Sequence, residues 1–324
     1  MGLSVCEGRE IMQELRYLRD KIKTPGPAPF VTHATYPVEE GRADLWVYEL
    51  FPGVQLMVTD FVCESCFQSG MEQDVVCIHH CARGRFECVF DCRNYVYMGE
   101  GDIALNSMLR PPIGASFPLR CYFGSSIALI PELCDNMPEL SAFGISARGI
   151  FKKYALMEHC RVFHRNEAIE QIYRDIYHSL QEPQLSFLRF KLLELLYYFQ
   201  NQQTVLEENR EYIPKSITEK IKHVKAHLLE DAEERPGLQQ LAREHGLSLT
   251  QLKTGFKQIY GETPYAYLKR YRMHQAAAIL LNTDTKISDI SQKLGYQNAS
   301  KFAEAFQHVM GVTPLKYRNQ GKRM

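Results

Sequence analysis

Three cysteine pairs in the first third of the chain have metal-ligand spacing: Cys63-x2-Cys66, Cys77-x3-Cys81 and Cys88-x3-Cys92. Thiolates at such intervals hold zinc or exchange electrons as a disulfide. His79 and His80 lie inside the middle pair, and imidazoles are the other common donors to a divalent ion. The strand-like period of the region works against both chemistries. Cys88 and Cys92 share a strand face with Phe86 and Phe90, where a thiol acts as a small apolar side chain. Cys77 and Cys81 fall in step with Val75 and His79, and only Cys63 and Cys66 are expected in a loop. Neighbouring histidines on a strand point to opposite faces, so the two cannot close on one iron or manganese ion as His-x-His does. No cofactor is expected.

The elements around these residues read as strands. Across residues 30–131, short Val, Tyr and Phe runs are broken by turn signals, as at Pro52-Gly53, Arg83-Gly84 and Gly99-Glu-Gly-Asp102. The expected strands include Asp44–Phe51, Val54–Val62, Asp74–Cys81, Arg85–Cys92 and Tyr95–Met98. Many short strands at this spacing predict a sandwich or small barrel. Such a barrel holds a small molecule by shape and hydrogen bonds, with Trp46, Tyr48, His80, Arg85, Tyr95, Tyr97 and Tyr122 as the candidate effector-binding residues.

Beyond this domain the period becomes helical. Residues 132–200 form a helical segment in which Glu167–Leu180 carries Ile169, Ile172, Ile176 and Leu180 on one stripe. Leu188, Leu192, Leu195 and Phe199 repeat at the spacing of a paired-helix seam and are the candidate dimerisation residues. Residues 1–29 read as a short helix, with Ile11, Leu15 and Leu18 in line, and a Pro-rich break; residues 201–216 read as a linker. The longest apolar run, Leu192–Phe199, is short and interrupted by Glu194, so no membrane span is expected. The start lacks the uncharged core of a signal peptide, so the cytoplasm, with mostly reduced thiols, is the expected compartment.

The balanced charge, 38 basic against 38 acidic residues, hides an asymmetry. From Lys215 onward there are 18 basic and 10 acidic residues, leaving 20 and 28 for the rest. A basic end on an acidic body points to a polyanionic partner for that end alone. The same end contains a repeat of about fifty residues. Gly261-Glu-Thr-Pro264 returns as Gly311-Val-Thr-Pro314; Leu241-Ala242, Gly246, Leu252 and Phe256 return as Ile290-Ser291, Gly295, Phe302 and Phe306. A small residue lets two helices approach, a glycine four places on makes the tight turn, and Ser248 or Asn298 caps the next helix. The apolar pair anchors that helix and turns the other face outward. The candidate DNA-binding residues are therefore Ser248, Thr250, Gln251, Lys253, Thr254 and Lys257 in the first copy, and Asn298, Ala299, Ser300, Lys301, Glu304 and Gln307 in the second.

Gly311-Val-Thr-Pro-Leu-Lys-Tyr-Arg318, with Tyr267-Leu-Lys-Arg-Tyr-Arg272 and Ile287-Ser-Asp-Ile290 before Gly295-Tyr296, resembles the AraC/XylS family of bacterial transcription regulators. The resemblance covers residues 217–320. It implies a helical domain that sets two recognition helices into adjacent major grooves on one face of DNA. The upstream order is similar to members with a cupin-like half for effector binding and dimerisation. The implied fold class is α+β multidomain: a β-barrel or cupin-like domain with a helical segment, then an all-α double helix-turn-helix domain. The implied partners are double-stranded promoter DNA, a small-molecule effector, RNA polymerase and a second copy in a homodimer, and the protein is not an enzyme. The chain departs from the family at Glu304 and Gln307, where basic residues are common. A carboxylate facing DNA costs affinity unless it accepts from a cytosine amino group. An alternative also follows: a metal or redox sensor, or a zinc-cysteine methyl-acceptor repair protein with the same kind of DNA-binding half, using Cys63, Cys66, Cys77 and Cys81.

Overall fold

A computed structural model describes residues 31–38, 40–65, 72–90, 94–156, 160–180, 182–201, 213–230 and 237–321. The expected N-terminal helix, most of the expected linker, Cys66 and Cys92 lie outside these residues. The chain divides into two compact units, one ending at Pro214 and one beginning at Lys215.

The first unit runs β1 (Val31–Thr35), β2 (Arg42–Phe51), β3 (Val54–Val62), β4 (Val76–Gly84), β5 (Phe86–Val89), β6 (Asn94–Met98), β7 (Ile103–Ser107), β8 (Gly114–Ser116) and β9 (Tyr122–Leu129). Then follow α1 (Pro131–Cys134), α2 (Pro138–Ser141), α3 (Ala147–Lys153), β10 (Arg161–Phe163), α4 (Glu167–Ser179), α5 (Leu185–Asn201) and β11 (Ile213–Pro214). Among the described residues, seven strands form one antiparallel sheet in the order β1-β2-β3-β9-β4-β7-β10, and four form a second, β11-β6-β5-β8. The sheet-rich half predicted from strand period is therefore present, and β3 spans the residues expected for it.

Both faces of the larger sheet carry buried apolar side chains. Leu45, Val47, Phe61, Cys81 and Ala104 pack towards the smaller sheet, against Cys88, Val96 and Met98. Tyr48, Leu50, Leu56, Ile78, Ile103 and Ile127 pack the other way, against α4 and α5. The space between the sheets is filled by rings: Phe61 and Phe117 lie 5.3 Å apart, and Phe86 and Tyr122 likewise 5.3 Å.

This layering corrects the expected barrel lining. Only Tyr122 of the seven candidates belongs to the cluster between the sheets. Tyr48 and Trp46 pack on the helix side, with Trp46 also stacked on His33. His80 is buried there too: Nε2 bonds to Glu170 Oε1 at 2.6 Å and Nδ1 to Tyr177 Oη at 2.9 Å, while its ring stacks on Tyr173 at 3.9 Å. Tyr97 turns to the far face of the smaller sheet and donates to the buried Glu87 carboxylate at 2.5 Å; Tyr95 stacks on Tyr97. Arg85 lies in a tight bend beside Gly99, where a Cβ would meet its Nη1 at 2.6 Å. With both sheet faces apolar, residue type does not reveal which face is inner.

The expected dimer seam is corrected as well. Leu188, Leu192, Leu195 and Phe199 are all buried in the chain's own core, against the sheet and α4. The exposed side of α5 instead carries Phe187, Phe190 and Tyr197. Leu192 is 1% exposed, so Leu192→Ala is expected to cost about 2–5 kcal/mol by opening a cavity. Chemical denaturation of the full chain measures this; a loss under about 0.5 kcal/mol would mean the leucine is not core.

Candidate nucleic-acid interface

The described residues of the second unit form seven helices: α6 (Lys215–Glu230), α7 (Leu238–Glu244), α8 (Leu249–Tyr260), α9 (Pro264–Asn282), α10 (Ile287–Lys293), α11 (Ala299–Met310) and α12 (Pro314–Gly321). Two corners repeat. In the first, α7 turns into α8 through Gly246 at φ +61°; in the second, α10 turns into α11 through Gly295 at φ +76°. A side chain at either position would be strained, because this left-handed backbone brings Cβ against the carbonyl. Ala242 and Ser291 are buried one turn before, where the paired helices meet. The Ser291 hydroxyl satisfies itself on Ser288 O at 2.7 Å.

The caps stand as the spacing predicts. Ser248 Oγ accepts from Gln251 N at 3.1 Å while Gln251 Oε1 accepts from Ser248 N at 2.9 Å, a reciprocal box. Asn298 Oδ1 accepts from Ser300 N at 2.8 Å and Lys301 N at 3.3 Å. Ser248, Gln251 and Asn298 therefore fix the start of each helix first, and what they offer outward is reduced. Leu252, Phe256, Phe302 and Phe306 are fully buried. Around the second corner, Phe302 and Phe306 meet Met273, Ala276, Leu280 and Ile290; α9 serves as its wall.

That anchoring leaves one face of each helix in solvent. On α8, Thr250, Gln251, Lys253, Thr254 and Lys257 are exposed; on α11, Ala299, Ser300, Lys301, Glu304 and Gln307 are exposed, and so is His308. Among the described residues Lys253, Lys257, Lys301 and Glu304 form no ion pair within the chain. His308 was not singled out from the sequence, although it stands four residues after Glu304 and continues the same face. A short polar helix face with free cations, set on a rigid corner, suits the major groove in width and chemistry.

The comparisons with known proteins agree with this geometry. Residues 241–320 match a family described as a helix-turn-helix domain. The chain is 30% identical over 141 residues to the HTH-type transcriptional regulator ExsA of Pseudomonas aeruginosa, covering 43% of this chain and 49% of that protein. It is 30% identical over 135 residues to the virulence regulon transcriptional activator VirF of Yersinia enterocolitica, covering 41% and 48%. The second unit is an AraC-type DNA-binding domain. Among solved structures, the C-terminal domain of AraT, a response regulator from Geobacillus stearothermophilus, is 27% identical; it covers 33% of this chain and 85% of that one, with a TM-score of 0.29. The chain spans about half the length of the curated relatives ExsA and VirF.

The cysteine chemistry finds no support beside the AraC-type domain. Cys63, expected in a loop, is buried with Cys81, Cys88 and Cys160 between the sheets. Burial pushes the Cys77 thiol up to about 12, and raises those of Cys81 and Cys88 well above their ordinary value. In the absence of a metal such thiols stay protonated, whereas nucleophilic attack needs the thiolate. Among the described residues no three His, Cys, Asp or Glu side chains are grouped to hold a metal.

One pair in the AraC-type domain couples its fold to pH. His245, closing α7, has Nε2 at 3.2 Å from Nδ1 of His227 on α6. Burial first, then the His227 imidazole, hold His245 below its ordinary value. The unfolded chain therefore takes up this proton more readily than the folded one. Stability is full above the ordinary imidazole value of about 6.5 and declines as pH falls through it. His245→Gln is expected to flatten that acid decline in the melting temperature of the full chain. Comparison with wild type separates it from His274, which burial and Arg270 also hold down. Parallel pH profiles for the two proteins would refute the coupling.

Proposed function

We propose that this chain is a sequence-specific, promoter-binding transcription regulator whose AraC-type domain reads two adjacent major grooves. The observation that carries the reading is the pair of exposed polar faces on α8 and α11, free of ion pairs among the described residues and each held out by the same kind of buried anchors. The basic balance of this third supplies the attraction to phosphates. Full-length protein is expected to retain specific duplexes from a pool of genomic fragments, with affinity falling steeply as salt rises. Lys253→Ala or Thr254→Ala should weaken specific binding by about 1–3 kcal/mol for each interaction with a base that the substitution removes. Fluorescence anisotropy on a retained duplex measures this, and unchanged binding in the double variant would overturn the reading.

A small-molecule effector acting on the sheet unit fits the same picture. A ligand that favours one arrangement of that unit alters the availability of the recognition helices, and with it promoter occupancy and RNA polymerase recruitment. Such a regulator works in the cytoplasm.

Homodimerisation is better carried by the outer side of α5 than by its buried stripe. Phe190 is 63% exposed, and Phe187 and Tyr197 continue its face along the helix. Lys191, paired to Asp175 at 2.8 Å and Glu194 at 2.9 Å, borders it. An isologous pair would cover these rings with their counterparts. Wild type is expected to sediment as a dimer and Phe190→Glu as a monomer with unchanged melting temperature. A monomeric wild type in the presence of its DNA would dispose of this interface.

A further inference from the structure

The two recognition helices are the same object with different faces. Fifty residues separate equivalent positions: Leu252 and Phe302, Phe256 and Phe306, and, on the exposed side, Thr254 and Glu304. Thr254 is flanked by Lys253 and Lys257, whereas Glu304 has Lys301 one turn before it and Gln307 and His308 one turn after. Glu304 is exposed at the middle of its face. Lys301 is near enough along the helix to pair with it, as three-residue neighbours do elsewhere at Lys191 and Glu194, yet no such pair forms. The carboxylate is thus presented outward without a partner.

We propose that Glu304 is the specificity residue of the second recognition helix and accepts a hydrogen bond from the N4 amino group of a cytosine. The proposal rests on the DNA-binding reading above. The major-groove edges decide the base. Guanine offers only acceptors, N7 and O6, and thymine offers O4 and a methyl group, so both repel or leave unsatisfied a desolvated carboxylate. Adenine sets its N6 amino donor beside the N7 acceptor, which opposes the second oxygen. Cytosine alone presents a donor with no acceptor beside it on the same base. Docked over another base, Glu304 would be a buried negative charge beside phosphates. It therefore selects chiefly by rejecting wrong sequences.

The test is selection of random duplexes by the full-length protein, followed by sequencing, for wild type, Glu304→Gln and Glu304→Ala. Wild type is expected to enrich two half-sites about one helical turn apart, with a cytosine fixed at one position in the second. Glu304→Gln is expected to move that position to adenine, the base a glutamine pairs with in bidentate fashion. Glu304→Ala should erase the preference there, lowering discrimination by roughly fivefold to a hundredfold, and leave the first half-site as it was. The alanine variant should also hold unrelated duplexes more tightly than wild type does. Unchanged melting temperatures exclude a folding effect, since the position is exposed. A wild-type motif that both variants reproduce at every position would overturn the assignment while leaving the DNA-binding reading intact. Failure of wild type to enrich any motif would overturn both.

Discussion

Phe256 and Phe306 fill the centres of the two corners, each one turn from a second buried residue, Leu252 or Phe302. A helix held by such an i, i+4 pair cannot rotate without exposing both side chains, and each would lose about 1.5–3 kcal/mol of burial. The opposite face is therefore fixed in direction before any DNA is present. The left-handed glycines and the two caps set where each helix starts, and the buried pair sets how it is turned. Beyond the caps Ser248, Gln251 and Asn298, neither function is asked of the exposed residues.

The sheet unit follows a different constraint. Its larger sheet carries apolar side chains on both faces, one for the smaller sheet and one for α4 and α5. One group of polar side chains that enters the helix-side layer bonds within itself. His80 bridges Glu170 and Tyr177, and Ser125 lies 3.0 Å from the same Tyr177 hydroxyl. The hydrogen bond from His80 holds the Glu170 carboxyl below its ordinary range. The cluster joins a strand to a helix about ninety residues later in the chain, a connection with no local trace in the amino-acid order.

What the sequence made legible follows from this contrast. The helix-turn-helix corners depend on short-range devices: a glycine, a cap three residues before its partner, an apolar pair four apart. Each leaves a mark within fifteen residues, and the repeat doubles it. Strand β3 was equally plain, bracketed by turn residues. The direction of its side chains was not, because a strand buried on both faces shows no polar alternation to say which way is in. For that reason sequence alone puts His80 and Tyr48 in the barrel, and for a similar one it puts the α5 stripe at a dimer seam. A run of leucines announces burial, but not whether the covering surface belongs to the same chain.

The separation of anchoring from reading in the second unit has a consequence for how such a protein changes over generations. Exposed positions on α8 and α11 bear almost none of the folding energy, so substitutions there typically alter stability by less than about 0.5 kcal/mol. On the proposed reading, the residues most consequential for target choice are thus among the least constrained by folding. Where a corner is duplicated, one copy is free to drift to a new target while the other keeps the old one. Thr254 and Glu304, equivalent in position and opposite in chemistry, have the form of such a divergence.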